Sequence, residues 1–296
     1  MKPEVAALQQ LLERESYVTD PAVATALFLA GALERPLLVE GPPGVGKTEI
    51  AKVLARTRAA DLIRLQCYEG LDASTALYEW NYPKQLLRIK LQEQDDAPLA
   101  QREAAIFSEP FLLKRPLLQA ITHTGIAPVL LIDEVDRSDE EFEAFLLELL
   151  SDFQVTIPEI GTIRATARPS VVLTSNRTRE LSEALRRRCL YLWIDYPTLE
   201  KELRIVRLKV PRANEVLSAQ VASFMQSLRR IDLTRLPGVA ETLDWAAALV
   251  ALGAESLEES LVRETLGCIV KDRDDGERVR RELDGGHFAA MASIGA

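Results

Sequence analysis

Residues 41–48 read Gly-Pro-Pro-Gly-Val-Gly-Lys-Thr and follow directly on the apolar run Pro36-Leu37-Leu38-Val39-Glu40. No other feature of the chain restricts its fold as tightly. The spacing is Gly-x-x-x-x-Gly-Lys-Thr, with a strand before it and a helix after it, the context in which such a loop wraps a phosphate chain. The glycines let the backbone turn sharply, so that successive N–H groups face inward on an anion. The helix opening near Lys47 brings the positive end of its dipole to the same place. Lys47 has the length to reach the β- and γ-phosphates, and the Thr48 hydroxyl is placed to bind Mg²⁺. A chance glycine-rich turn is the bland alternative. Against it stand the extra Gly44, the flanking elements and the downstream partners of the loop.

The first of those partners is Val129-Leu130-Leu131-Ile132-Asp133-Glu134, an apolar strand ending in two consecutive carboxylates. Asp133 would hold Mg²⁺, directly or through water, beside Thr48, and Glu134 would orient and deprotonate an attacking water. Seen alone, the pair could equally be solvated acids at a strand end. A further apolar run closes as Leu173-Thr174-Ser175-Asn176. The Asn176 amide can sit between Glu134 and the γ-phosphate and help position the water. Its structural alternative is an Asn that closes a turn.

Five short β-rich runs are visible: Leu37–Glu40, Leu62–Leu65, Val129–Asp133, Ser170–Thr174 and Tyr191–Ile194. Helical patterns separate them, at Glu49–Ala60 and Glu140–Leu150 among others. Strands alternating with helices predict an α/β fold, a five-stranded parallel sheet covered on both faces, with ligands at the carboxyl ends of the strands. On this reading residues 1–197 form the nucleotide-binding core, with insertions near 67–98 and 153–165. The first insertion holds Tyr78, Trp80 and Tyr82, then a helix over Pro83–Gln94 broken at Asp95-Asp96-Ala97-Pro98. The second alternates like a hairpin over Gln154–Arg164. Residues 198–271 carry four amphipathic helical patterns and form a small all-α lid. Residues 272–296 are charged, then small and glycine-containing, and are expected to be a flexible tail.

Composition narrows the partners. With 296 residues, 47% hydrophobic and 27% charged, the chain has ample material for a core. Its net charge of −9 argues against nucleic acid as a ligand, which calls for a basic surface. Cys67, Cys189 and Cys268 are far apart in sequence and the histidines are His123 and His287. This usage shows no metal-ligand or disulfide framework and fits a reducing, cytoplasmic setting, with each cysteine a small buried apolar residue. The longest apolar stretch, Val23–Leu33, is far below the roughly 20 residues a bilayer span needs, so no transmembrane segment is expected.

Taken together, the phosphate loop, the Asp-Glu strand end, the strand-end Asn, an Arg-bearing helix and a helical lid resemble the AAA+ ATPases. The forms Gly41–Glu49 (GPPGVGKTE), Leu131–Arg137 (LIDEVDR) and Asp195-Tyr196-Pro197 are similar to the MoxR subfamily. Within it, Tyr68–Tyr82 and Leu236–Trp245 resemble the group encoded beside molybdenum-containing carbon monoxide dehydrogenases. The resemblance covers about residues 14–271. It implies ATP and Mg²⁺ as cofactors, with Gly41, Pro42, Pro43, Gly44, Val45, Gly46, Lys47, Thr48 and Glu49 along the nucleotide, and Tyr17 and Val18 packing the adenine. It implies a homo-oligomeric ring, a hexamer, acting as a remodelling chaperone. A partner with a von Willebrand factor A domain is implied too, with a metalloenzyme client such as a carbon monoxide dehydrogenase undergoing cofactor maturation.

In Leu181–Cys189 (LSEALRRRC) the matching arginine finger, reaching a neighbouring subunit's γ-phosphate, is Arg188. The family's preceding Asp is Arg187 here, so that residue could share or take the role. The family's lid arginine, in a Ser-Pro-Arg context, has no counterpart in Val239-Ala240-Glu241-Thr242. Two rival functions use the same core, a nucleic-acid-directed motor or clamp loader and a nucleotide-dependent binding switch with little turnover. The negative charge weighs against the first and the intact Asp133-Glu134 pair against the second. Tyr78, Trp80 and Tyr82 alternate, so on an extended segment they would share one face, either gripping a client or filling a small core of their own.

Overall fold

A computed structural model of the chain describes residues 2–91, 98, 101 and 105–293. The chain packs as two compact units, one of Met1–Leu8, Pro21–Glu40 and Thr48–Trp193, the other of Gln9–Asp20, Gly41–Lys47 and Ile194–Ala296.

Among the described residues every strand lies in the first unit: β1 (Leu37–Glu40), β2 (Leu62–Gln66), β3 (Tyr78–Trp80), β4 (Leu112–Lys114), β5 (Val129–Asp133), β6 (Gln154–Ile157), β7 (Gly161–Arg164), β8 (Ser170–Ser175) and β9 (Leu190–Trp193). Five of them form the expected parallel sheet, in the order β2-β5-β8-β1-β9. β1 and β5 are buried along their whole length, as strands covered on both faces must be, and this is why they read as unbroken apolar runs. β2, at an edge, keeps polar and partly exposed positions. The register Ile132↔Leu173 sets the carboxyl ends of β5 and β8 side by side, which brings Asp133 and Glu134 next to Thr174, Ser175 and Asn176. Behind β5, the helix Glu140–Asp152 is started by Asp139, whose carboxylate accepts the Phe142 N–H at 2.8 Å. Phe142, Leu146 and Leu149 of that helix are buried at the spacing of one helical face.

The aromatic insertion is resolved in favour of its structural alternative. β3 pairs antiparallel with β4, Trp80 opposite Leu112, and Trp80 is 7% exposed. Its ring meets Phe107 edge-to-face, 5.3 Å between centroids at 84°. The extended run stops at Trp80, because Tyr82 already opens the helix Tyr82–Leu91 and is exposed. Tyr78 and Trp80 therefore share a face of β3, their ring centroids 6.1 Å apart, and Tyr82 does not join them. The helix break expected at Asp95-Asp96-Ala97 lies outside the described residues. β6 and β7 form the expected hairpin, with Val155 opposite Ile163.

In the second unit the helices Leu199–Lys209, Glu215–Leu228, Val239–Ala251, Glu259–Thr265, Arg273–Asp284 and Phe288–Ala292 share one core, in which Phe224 and Trp245 lie 5.2 Å apart. Thr198 and Asn214 cap the first two of these helices through their side chains. The segment from 272 is not the loose tail that its composition suggests. Asp272 caps Arg273–Asp284, Val279 and Leu283 enter the core, and the fully buried Asp275 accepts the N–H groups of Thr234 and Arg235 at 2.9 and 3.0 Å. Two apolar residues in a charged stretch give a weak periodic signal, and the distant backbone donors that tie the helix down have no sequence signature. Gln9–Asp20 joins this unit through ion pairs such as Lys201–Asp20 at 2.5 Å and Arg204–Glu13 at 3.4 Å.

One buried carboxylate organises this helical core. Glu202, with no exposed surface, accepts from both Arg229 amino groups at 2.6 and 2.7 Å, from the Thr242 hydroxyl at 2.7 Å and from the Gln226 amide at 2.7 Å. Arg229 also donates to the Pro237 carbonyl at 2.8 Å and stacks 5.0 Å from the Tyr196 ring. Arg229→Ala strands the Glu202 charge and should lower stability by about 3–5 kcal/mol, read from denaturant unfolding. Trp80→Ala opens a cavity in the first unit and should likewise lower stability by about 3–5 kcal/mol. A melting temperature unchanged in Trp80→Ala would return that side chain to the surface.

Candidate active site

The Asp133 side chain is 3% exposed at the end of β5, and its carboxylate is held on every side. Oδ1 accepts from the Thr48 hydroxyl at 2.9 Å and from the Thr174 hydroxyl at 2.5 Å. Oδ2 accepts from Arg64, through Nε at 3.0 Å and Nη2 at 2.6 Å. The sheet order explains the convergence: β2 and β8 flank β5, and Thr48 stands in the first turn of the helix Lys47–Thr57. Thr48 and Asp133 offer hard oxygen donors, the kind that hold Mg²⁺ together with water and phosphate oxygens.

Glu134 follows in the left-handed region, φ 55° and ψ 50°, uncommon for a residue with a side chain. Its N–H donates to Thr174 Oγ1 at 2.9 Å. Thr174 thus bonds both acids, donating to Asp133 and accepting from Glu134, and is itself 1% exposed. The Glu134 carboxylate is met on Oε1 by the Asn176 amide at 3.4 Å, and on Oε2 by the Gln66 amide at 3.2 Å and Arg137 at 2.9 Å. The expected Asn176–Glu134 pairing is therefore present.

Asp136 holds the Asn176 turn in place. Its buried carboxylate accepts the Asn176 N–H at 3.2 Å and, from Thr178, the N–H at 2.8 Å and the hydroxyl at 2.7 Å. Burial, followed by the nearby Asp133, Asp136 and Glu134 charges, pushes the Cys67 thiol up to about 12, so this cysteine stays protonated and inert. Cys189 is buried as expected, whereas Cys268 is only half-buried.

In the second unit the loop Gly41–Lys47 packs against the start of the helix Val239–Ala251. The Gly44 carbonyl accepts from Val239 N–H at 2.8 Å and Ala240 N–H at 3.3 Å, two donors that the helix start leaves unpaired. Gly44 has φ 75°, and a Cβ on the facing Gly238 would fall 2.7 Å from the Gly44 Cα, so both positions exclude a side chain. Lys47, 6% exposed, donates to the carbonyls of Gly41 at 2.8 Å and Pro42 at 2.6 Å. Val45 is buried and Pro43 exposed. Tyr17 and Val18 line a cavity of about 410 Å³ together with Glu13, Arg204, Arg207 and Leu208.

Two other sequence candidates point elsewhere. Glu49 turns its carboxylate along its own helix, to Lys52 at 3.5 Å and Arg56 at 3.1 Å. Arg187 pairs with Glu183 one helical turn earlier, at 2.5 Å. Arg188, also exposed, donates to the Leu147 carbonyl at 2.8 Å. Arg35 anchors the end of this Glu183–Arg188 helix by donating to the carbonyls of Arg187 at 2.6 Å and Arg188 at 3.2 Å. Arg64, Gln66, Thr174 and Asp136 escape a reading of the sequence. Only the Asp of Leu131–Arg137 and the Thr two residues before Asn176 stand close enough to a known motif to be suspected.

The chain is 25% identical over 232 residues to the denitrification regulatory protein NirQ of Pseudomonas aeruginosa, covering 75% of this chain and 79% of NirQ. It is 25% identical over 259 residues to the NirQ of Stutzerimonas stutzeri, covering 84% and 82%. A mutant of Thermotoga maritima RuvB superposes with a TM-score of 0.50 at 17% identity, over 98% of this chain and 85% of that one, a likeness of fold. Residues 36–189, which span β1 to the end of the helix Glu183–Arg188, match the family described as AAA domain (dynein-related subfamily), and the chain belongs to that family.

Proposed function

We propose that this chain is a Mg·ATP-dependent ATPase of the MoxR type, working as a ring that remodels a protein client. The observation that carries the reading is the pair of acids leaving β5. Asp133 is bonded to the Thr48 hydroxyl and Glu134 to the Asn176 amide, so the two carboxylates are held in different environments for different tasks.

Lys47 and Thr48 open the helix that follows β1, and the loop before it binds the phosphates through its backbone N–H groups. Thr48 and Asp133 hold Mg²⁺, which when bound neutralises charge on the phosphate oxygens. Glu134 accepts a proton from the attacking water at its carboxylate, and the Asn176 amide keeps that carboxylate turned towards the water. Tyr17 and Val18 take the base in their cavity. Arg188, on an exposed helix end, serves the neighbouring subunit's site, where a guanidinium stabilises charge on the transferred group. Both arginines are exposed, Arg187 paired with Glu183 and Arg188 donating to the Leu147 carbonyl, and it is the motif match that favours Arg188.

A finger in trans needs a second copy, and the hexameric ring rests on the motif resemblance. The NirQ relatives are described as denitrification regulatory proteins, which supports a regulatory or maturation task directed at other proteins. A carbon monoxide dehydrogenase-like client, a partner with a von Willebrand factor A domain and a cytoplasmic setting rest on the motif resemblance. The net charge of −9 favours a protein client over nucleic acid.

Glu134→Gln keeps the size of the side chain and removes the base. It should bind ATP normally and hydrolyse it at least about 10²-fold more slowly. Lys47→Ala should weaken nucleotide binding itself. Affinity and phosphate-release assays decide this, and full turnover in Glu134→Gln would refute the assignment. Arg188→Ala should be nearly inactive alone, yet recover hydrolysis when mixed with Lys47→Ala subunits, because an intact site then meets an intact finger. No recovery in subunits shown to exchange would transfer the role to Arg187 or abolish it.

A further inference from the structure

Arg64 belongs to no phosphate-binding pattern, yet it pairs with Asp133 at 2.6 Å. It lies on β2, whose register sets Gln66 opposite Asp133. Arg64 and Gln66 are two residues apart, so both side chains leave the strand on one face. The guanidinium places Nε at 3.0 Å and Nη2 at 2.6 Å from the single oxygen Oδ2 of Asp133. Nη2 also donates to Gln66 Oε1 at 2.5 Å, and Gln66 Nε2 donates to Glu134 Oε2 at 3.2 Å. A continuous chain of hydrogen bonds thus runs from Asp133 through Arg64 and Gln66 to Glu134.

Burial differs sharply along that chain. The Asp133 side chain is 3% exposed and that of Arg64 49%. A carboxylate removed from water to this degree needs a compensating charge. Arg64 supplies it from the solvent side, on a flexible side chain that can leave at little cost. A divalent cation held by Thr48 and Asp133 would meet Oδ1 while Arg64 holds Oδ2, and a guanidinium and a metal ion on one carboxylate repel each other.

We propose that Arg64 is a positioning residue that stands in for the metal. It neutralises and orients the Asp133 carboxylate until Mg²⁺ is held there, and the metal displaces it. This inference rests on the nucleotide-site reading above. Displacement has a second effect, because Gln66 Oε1 loses its guanidinium partner and the Gln66 amide becomes free to turn away from Glu134. Arg64 therefore couples metal loading at one acid to the loss of one contact at the other, which Arg137 and Asn176 continue to hold. Since coupling is reciprocal, the Arg64–Asp133 contact must also weaken metal binding.

The test measures the affinity of a fluorescent ADP with Mg²⁺ and with EDTA, for the wild type, Arg64→Met and Arg64→Lys. The quantity read is the tightening produced by Mg²⁺. Removing the competing charge in Arg64→Met should enlarge that tightening about tenfold, while affinity in EDTA stays within about twofold. Arg64→Lys keeps the charge and should stay near the wild type. A merely structural arginine would shift both affinities together and leave their ratio unmoved. Arg64→Gln, measured in the same way, serves as a second neutral variant should Arg64→Met fail to fold. An equal or smaller Mg²⁺ effect in the neutral variants, with ADP bound by all, overturns the role of Arg64 alone. A wild type that binds no ADP in either condition overturns the nucleotide reading and this inference with it.

Discussion

The carboxyl edge of the sheet is organised around one buried negative charge, the Asp133 carboxylate. A charge at that depth is tolerated only if its lone pairs are filled, and here the donors come from the helix Lys47–Thr57, from β2 and from β8. The same bonds fix the relative positions of those elements. Thr174 illustrates the economy of the arrangement. Its hydroxyl donates to Asp133 and accepts the Glu134 N–H, and so helps hold Glu134 in a left-handed backbone that an unconstrained residue would leave.

The helical unit solves the same problem around Glu202, whose four donors come from Arg229, Gln226 and Thr242. Arg229 extends that network to Pro237, next to the Gly238 that starts the helix Val239–Ala251. Two N–H groups of that helix start fall on the Gly44 carbonyl. A buried ion pair, a helix start and the phosphate loop are therefore contiguous within one unit.

The roles of the acidic residues follow from their partners. Asp133 and Asp136 are both buried and saturated, one by side-chain donors, the other largely by backbone N–H groups. Asp136 is thus suited to hold the Asn176 turn permanently. Glu134 is the most exposed of the three, its carboxylate met by Arg137 at 2.9 Å, Gln66 at 3.2 Å and Asn176 at 3.4 Å.

The sequence by itself determined the parallel sheet, the phosphate loop, the two acids and the strand-end Asn. Each of these depends on local order: unbroken apolar runs for buried strands, glycines for a loop without side chains, and consecutive acids where a strand ends. The helix at Arg273–Asp284 escaped that reading because its stability comes from Asp275 meeting backbone donors about forty residues away. The inward placement of Trp80 was one of two alternatives the sequence left open, and the pairing of a three-residue strand with Leu112–Lys114, ending before Tyr82, decided it. Arg64, Gln66 and Asp136 look like ordinary surface or turn residues in one dimension. Only strand order and register could decide that they converge on Asp133, Glu134 and Asn176, because charge compensation acts through space and leaves no spacing in the chain.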